Sequence, residues 1–123
     1  GDGIADEVVE ALGGRSFVIA DEHRVEYHAA ACIAANHLVA LLGQVERIGA
    51  AAGAPFEAYL SLVRGAVDNV AELGPAAALT GPAARGDELT IARHLAAIDP
   101  SERDAYRAMA DQARRLVTTN GSN

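Results

Sequence analysis

The stretch from Arg24 to Ala52 contains no proline and is dominated by Ala and Leu, which predicts one long helix with Gly53 as its C-terminal cap. A helix of that length holds its shape in water mainly by burying a face against other elements, so the rest of the chain has to supply cover. Aromatic residues are only 4% of the 123 residues while apolar residues are 50%, so the interior must be built from Ala, Leu, Val and Ile. Small side chains imply helices that approach closely.

Pro55 stands where a first helical position is expected and opens a helix over Phe56 to Leu73, with Tyr59, Leu60, Val63, Ala66, Val67 and Val70 on one face. The two long segments then read as a helical hairpin with a short turn. After a Gly- and Pro-interrupted stretch from Gly74 to Gly86, Asp87 is placed to cap a helix running to Ile98. Asp99, Pro100, Ser101 and Glu102 supply a cap, a proline at the first helical position and an acid at the third, which predicts a last helix to about Val117. Before all of these, Ile4 to Leu12 has apolar residues at helical spacing and is stopped by Gly13 and Gly14. Phe17 to Ala20 reads as one buried strand, for which a helix and a glycine turn offer no partner. The expected organisation is therefore residues 1–23 as the end of a preceding domain, 24–117 as a helical domain and 118–123 as a disordered tail.

Charge narrows the partners. A formal net charge of -7 disfavours any binding that relies on a basic surface, so neither nucleic acid nor an anionic membrane is expected. No uninterrupted apolar run approaches a membrane span of about 20 residues. With no charged-then-apolar signal segment at its start either, a soluble cytoplasmic protein is expected; the single Cys32 excludes an internal disulfide framework and fits a reducing compartment. Gly1 in place of an initiator Met fits a processed end or a fragment.

Two groups of residues stand out as candidates for chemistry. His28, Cys32 and Asn36 lie at i, i+4 and i+8 on the long helix, along one slowly drifting stripe set among alanines. Polar groups in such a setting need partners, which are either neighbouring helices and water or a substrate. A His and a Cys alone do not close a metal site, and no second pair at ligand spacing occurs, so no metal is expected. The second group is Arg85 and His94: the turn around Gly81, Pro82 and Gly86 either simply joins two helices or presents N–H groups and Arg85 to an anion. His94 follows Asp87 by seven residues and either reaches that loop or caps the last turn of its helix. No G-x-G-x-x-G, no G-x-x-x-x-G-K-[ST] and no G-x-S-x-G is present.

The segments YHAAACIAANHLVAL (Tyr27 to Leu41) and GAVDNVAELGPAAALTGPAARGDELTIARHLAAI (Gly65 to Ile98) together resemble the C-terminal helical domain of Rossmann-like oxidoreductases, the deazaflavin-dependent NADP oxidoreductases among them. That domain is similar to the C-terminal domains of the 6-phosphogluconate dehydrogenase superfamily. The resemblance implies an all-α fold of that type, preceded by a helix-strand remnant of a Rossmann-like domain. It also implies NADP or NAD as cofactor, held mainly by the domain absent from this chain. In the superfamily the first long helix carries a catalytic Lys and, four residues later, a substrate-holding Asn; Asn36 matches the Asn, and Cys32 falls at the Lys position. His28, one turn earlier, then takes the acid/base role, because imidazole titrates near neutrality. Thr80, Arg85 and His94 become contacts to a small anionic substrate.

The reading that follows is a substrate-binding and dimerisation domain of an NAD(P)-dependent oxidoreductase, inactive as this chain alone. A homodimer is expected because the long Ala-rich helix exposes more surface than the remaining helices cover. The alternatives are a non-catalytic helical dimerisation module and a regulatory domain that binds a small anion at the Arg85 loop.

Overall fold

The computed structural model describes residues 7–121. They fall into two compact units, Gly1–Gly43 and Gln44–Asn123.

The first unit begins with a hairpin. Strand β1 (Glu7–Leu12) pairs antiparallel with β2 (Arg15–Ala20), with Val9 opposite Val18 and Glu10 opposite Phe17. The part of the expected N-terminal helix that falls on Glu7 to Leu12 is thus a strand, and Ile4 to Asp6 lies outside the described residues. The physical reason sits in the turn. Gly13 and Gly14 take φ of 59° and 79°, the left-handed pair of a two-residue hairpin loop, so the glycines fold the chain back instead of stopping a helix. β2 therefore has its partner within this chain. One face of the hairpin carries Val8, Glu10, Phe17 and Ile19, all half-buried, whereas Val9 and Val18 on the other face are exposed. The Phe17 ring meets Tyr27 edge-on at 5.6 Å, and Arg24 reaches Glu10 at 3.6 Å. These contacts fix the hairpin on the following helix.

That helix starts with a 3-10 turn (Asp21–His23) and continues as α1 (Arg24–Cys32), a π-helical turn (Ile33–His37) and α2 (Leu38–Ala51). The expected single helix is present, interrupted in its middle by a turn closed by Leu38 N–H donating to the Ile33 carbonyl, five residues back. Its apolar side chains are open: Val25 is 81% and Val39 67% exposed. Among the described residues, Asp21–Ala51 is one helical stretch long and apolar enough to cross a membrane by length and composition.

In the second unit, α3 (Phe56–Leu73) follows an extended Pro55, which stands just before the first helical residue. Of the expected apolar face, Tyr59, Leu60 and Val63 are half-buried while Val67 and Val70 are exposed. Gly49 is buried against Tyr59: a Cβ added there would lie 2.5 Å from the Tyr59 Cε2, so only glycine permits this approach of α2 and α3. Two one-turn helices, α4 (Pro75–Ala78) and α5 (Pro82–Arg85), lead to α6 (Glu88–Ala97). A 3-10 turn (Pro100–Glu102) then opens α7 (Arg103–Gly121), which extends past the expected end near Val117. There the Thr118 hydroxyl donates to the Arg114 carbonyl one turn back, a bond that suits a continued helix. Arg114 also joins α7 to α6 through two bonds to Glu88, at 2.7 and 3.2 Å. Ile91 on α6, 4% exposed, is the buried apolar centre among the described residues. The chain is thus mostly helical, with one two-stranded sheet.

Candidate functional site

The stripe on the long helix lies in the first unit. His28 is exposed on α1, its ring tilted against Tyr27 with centroids 5.1 Å apart. Cys32, a free thiol, ends α1 and is exposed. Asn36 sits inside the π turn and donates from Nδ2 to the Cys32 Sγ at 3.6 Å. The spacing argument therefore placed Cys32 and Asn36 side by side, as the structure does. The expectation that these groups are buried among helices is corrected: the stripe faces outward, because the packed face of the unit is on the hairpin side around Phe17 and Tyr27.

The second group lies in the second unit, and its members have other partners. Thr80 is exposed on the link between α4 and α5. Arg85 ends α5 and reaches the Asp87 carboxylate at 3.5 Å. Gly86 follows with φ of 67°, the left-handed turn expected there. Asp87 caps α6 as the sequence predicts: Oδ1 accepts from Thr90 N–H at 3.1 Å and Oδ2 from the Thr90 hydroxyl at 2.7 Å. These bonds from Thr90, with a lesser contribution from Arg85, lower its pKa below the ordinary carboxylate value. His94 has a partner on α7. Its Nδ1 lies 2.8 Å from the Tyr106 hydroxyl on α7, with the rings edge to face at 5.8 Å. Burial raises the Tyr106 pKa.

A third constellation has no signal in the sequence. Glu102 was expected to close a capping box, but its carboxylate turns away to α2, where Arg47 Nε and Nη2 donate at 2.6 and 3.0 Å. Gln44 Nε2 adds bonds to the Glu102 carbonyl at 3.1 Å and to Oε1 at 3.5 Å. Asp99 alone caps the turn, accepting from Ser101 N–H at 2.9 Å and from its hydroxyl at 2.7 Å. Glu102 and Gln44 are buried, and the Arg47 bonds hold the Glu102 pKa below the usual range. The fork of Arg47 matches a carboxylate at two points, so this pair ties the C-terminal part of α2 to the start of α7. Beside it, Ile48, Ala51, Ile98 and Asp99 border an open groove of about 550 Å³. No group of three His, Cys, Asp or Glu suited to a metal ion occurs among the described residues.

The arrangement offers hydrogen-bonding groups on an exposed helix and no complete catalytic set. Two solved structures are similar to this chain. One is a Bacteroides fragilis protein provisionally named as an NADP oxidoreductase, 29% identical over 79% of this chain with a TM-score of 0.69. The other is a Thermotoga maritima protein whose name states no activity, 29% identical over 87% of this chain with a TM-score of 0.74. The chain spans 38% and 45% of their lengths. No curated protein matches it. Residues 1–113 match the family described as a domain of unknown function, DUF2520, and the chain belongs to that family.

Proposed function

We propose that this chain is the helical part of an NADP-dependent oxidoreductase, in which it supplies a substrate-contacting surface and a homodimer interface. The similarity to the Bacteroides fragilis protein over most of this chain carries the reading. The dinucleotide, NADP or NAD, is assigned to a Rossmann-like segment outside these residues, because no phosphate-binding glycine motif occurs in this sequence. The hairpin of β1 and β2 suits the last strands of such a segment, since a two-stranded ribbon is marginal without further strands.

Within the reading, Asn36 orients a substrate oxygen and His28 exchanges a proton. The Cys32 thiol, at the position where the resemblance expects a lysine, is no cationic donor at neutral pH. An anionic substrate group at Arg85 would compete with Asp87, which already occupies that guanidinium. The exposed Val25 and Val39 on the long helix support a partner helix from a second copy. Protein is a better cover than lipid for Asp21–Ala51, because His28, Asn36 and His37 would otherwise carry their polar groups into hydrocarbon. We accordingly place the protein in the cytoplasm.

The test is NADPH and NADH oxidation by the native protein with a panel of 2-oxo acids, and the reverse reaction with 3-hydroxy acids. His28→Ala and Asn36→Ala should each lower turnover at least tenfold with the NADP Kd unchanged. Turnover untouched by both substitutions would remove these residues from the mechanism. A tight dimer that binds no dinucleotide would favour the alternative reading, a helical interaction module, for which the absent lysine and the exposed apolar helix speak.

A further inference from the structure

The sequence IAANH contains neither Pro nor Gly and has no local reason to leave the α-helix, yet Ile33–His37 forms a π turn between two regular helices. Such turns commonly occur at functional sites and leave the flanking helices with a changed register. Here the turn holds Asn36 and immediately follows Cys32. In an unbroken α-helix each step of four residues drifts by about 40°, so His28, Cys32 and Asn36 would fan out over roughly 80°. The wider turn, closed from Leu38 N–H to the Ile33 carbonyl, advances less per residue and brings Asn36 back over Cys32. Cys32 and Asn36 are neighbours in any helix by their i, i+4 spacing, and the removal of the drift between them suits the Asn36 Nδ2 to Cys32 Sγ contact at 3.6 Å.

We infer that the π turn is a one-residue register shift that stacks Asn36 on Cys32 in line with His28, and that Cys32 is a positioning residue of this polar stripe. The shift also rotates Leu38 to Gly43 by about one residue relative to α1, so the polar stripe and the apolar residues at the start of α2 are aligned independently. The functional part of the inference rests on the proposed ligand-facing role of His28 and Asn36; the register shift itself does not.

Deleting one residue should convert the turn to regular helix without moving the flanks past one another. In the native protein, deletion of Ala34 and deletion of His37 should keep the helical circular dichroism and a Tm within a few degrees of the parent. Deletion of Ala66, inside the regular helix α3, has no such turn to absorb it and should lower the Tm far more. Deletion of His37 leaves Asn36 four residues after Cys32 but restores the ordinary drift of about 40° between them, which loosens the contact. The reaction of Cys32 with 5,5′-dithiobis(2-nitrobenzoate), followed on the Cys32 peptide by mass, reports this contact, since a side chain seated on the sulfur controls the reagent's access to it. It should quicken about threefold or more in the His37 deletion and in Asn36→Ala, and remain near the parent rate in His37→Ala, which retains the chain length. Turnover should fall at least tenfold in both deletions near the turn. An Ala34 deletion that melts as low as the Ala66 deletion would overturn the register shift, as would a thiol rate unchanged in both the His37 deletion and Asn36→Ala. Absence of any NADP-dependent turnover in the parent would sink the proposed function and leave the thiol and melting results to decide the register shift.

Discussion

Two glycines on adjacent helices give a matched pair of substitutions whose signs should differ. Gly49 on α2 would place a new Cβ 2.5 Å from Tyr59 Cε2, 3.2 Å from Cζ and 3.3 Å from Cδ2. Ordinary carbon contacts begin near 3.5 Å, so the Tyr59 ring or the helix must move by roughly 1 Å. Overpacking of this kind costs about 1–3 kcal/mol. Alanine simultaneously gains about 1 kcal/mol of helix propensity over glycine, which leaves Gly49→Ala neutral to about 2 kcal/mol destabilising. Gly65 on α3 meets nothing within 4 Å, so Gly65→Ala keeps the propensity gain with no clash. The two variants should therefore differ by about 1–3 kcal/mol in urea or thermal unfolding, with Gly65→Ala the more stable. In a Tyr59→Ala background, itself destabilised by loss of the ring, Gly49→Ala should cost little further, because the clash partner is gone. Equal stability of the two single variants would refute the close approach at Gly49.

The Glu102 carboxylate has a lowered pKa in the folded protein, so its contribution is present above the unfolded value near 4.5 and is lost as pH falls through the folded one. The Tm gap between the parent and Glu102→Gln should thus be wide at pH 7, begin to narrow only below the unfolded value of 4.5 and close as pH falls through the lowered folded one. Asp87→Ala removes the α6 cap at Thr90 and should lower the Tm by several degrees, while Asp87→Asn, which retains an accepting oxygen, should lose much less. Gly14→Val places a β-branched residue at φ 79° and should disfavour the hairpin, read as loss of amide-exchange protection in β1 and β2. Tyr106→Phe deletes the hydroxyl facing His94 and should lower the Tm by a few degrees while leaving the helical circular dichroism unchanged.

The sequence by itself determined the helical class, the cap at Asp87, the left-handed glycine at Gly86 and the adjacency of Cys32 and Asn36. All four depend on interactions within about one helical turn, where propensity, capping and i, i+4 spacing dominate. The segment EVVEAL shows where that locality ends. Its apolar residues satisfy a helical spacing as well as a strand, and only the pairing across Gly13 and Gly14 decides for β1. Glu102 failed in the same way, since the capping box is a local signal and Arg47, fifty-five positions away, competes for the carboxylate with two charge-assisted bonds. His94 found Tyr106 on the next helix, and Arg85 found Asp87, partners that spacing alone does not rank. The π turn is the sharpest case: nothing in IAANH departs from helical preference, so the extra residue is accommodated by the helix as a whole, and only the folded backbone records it.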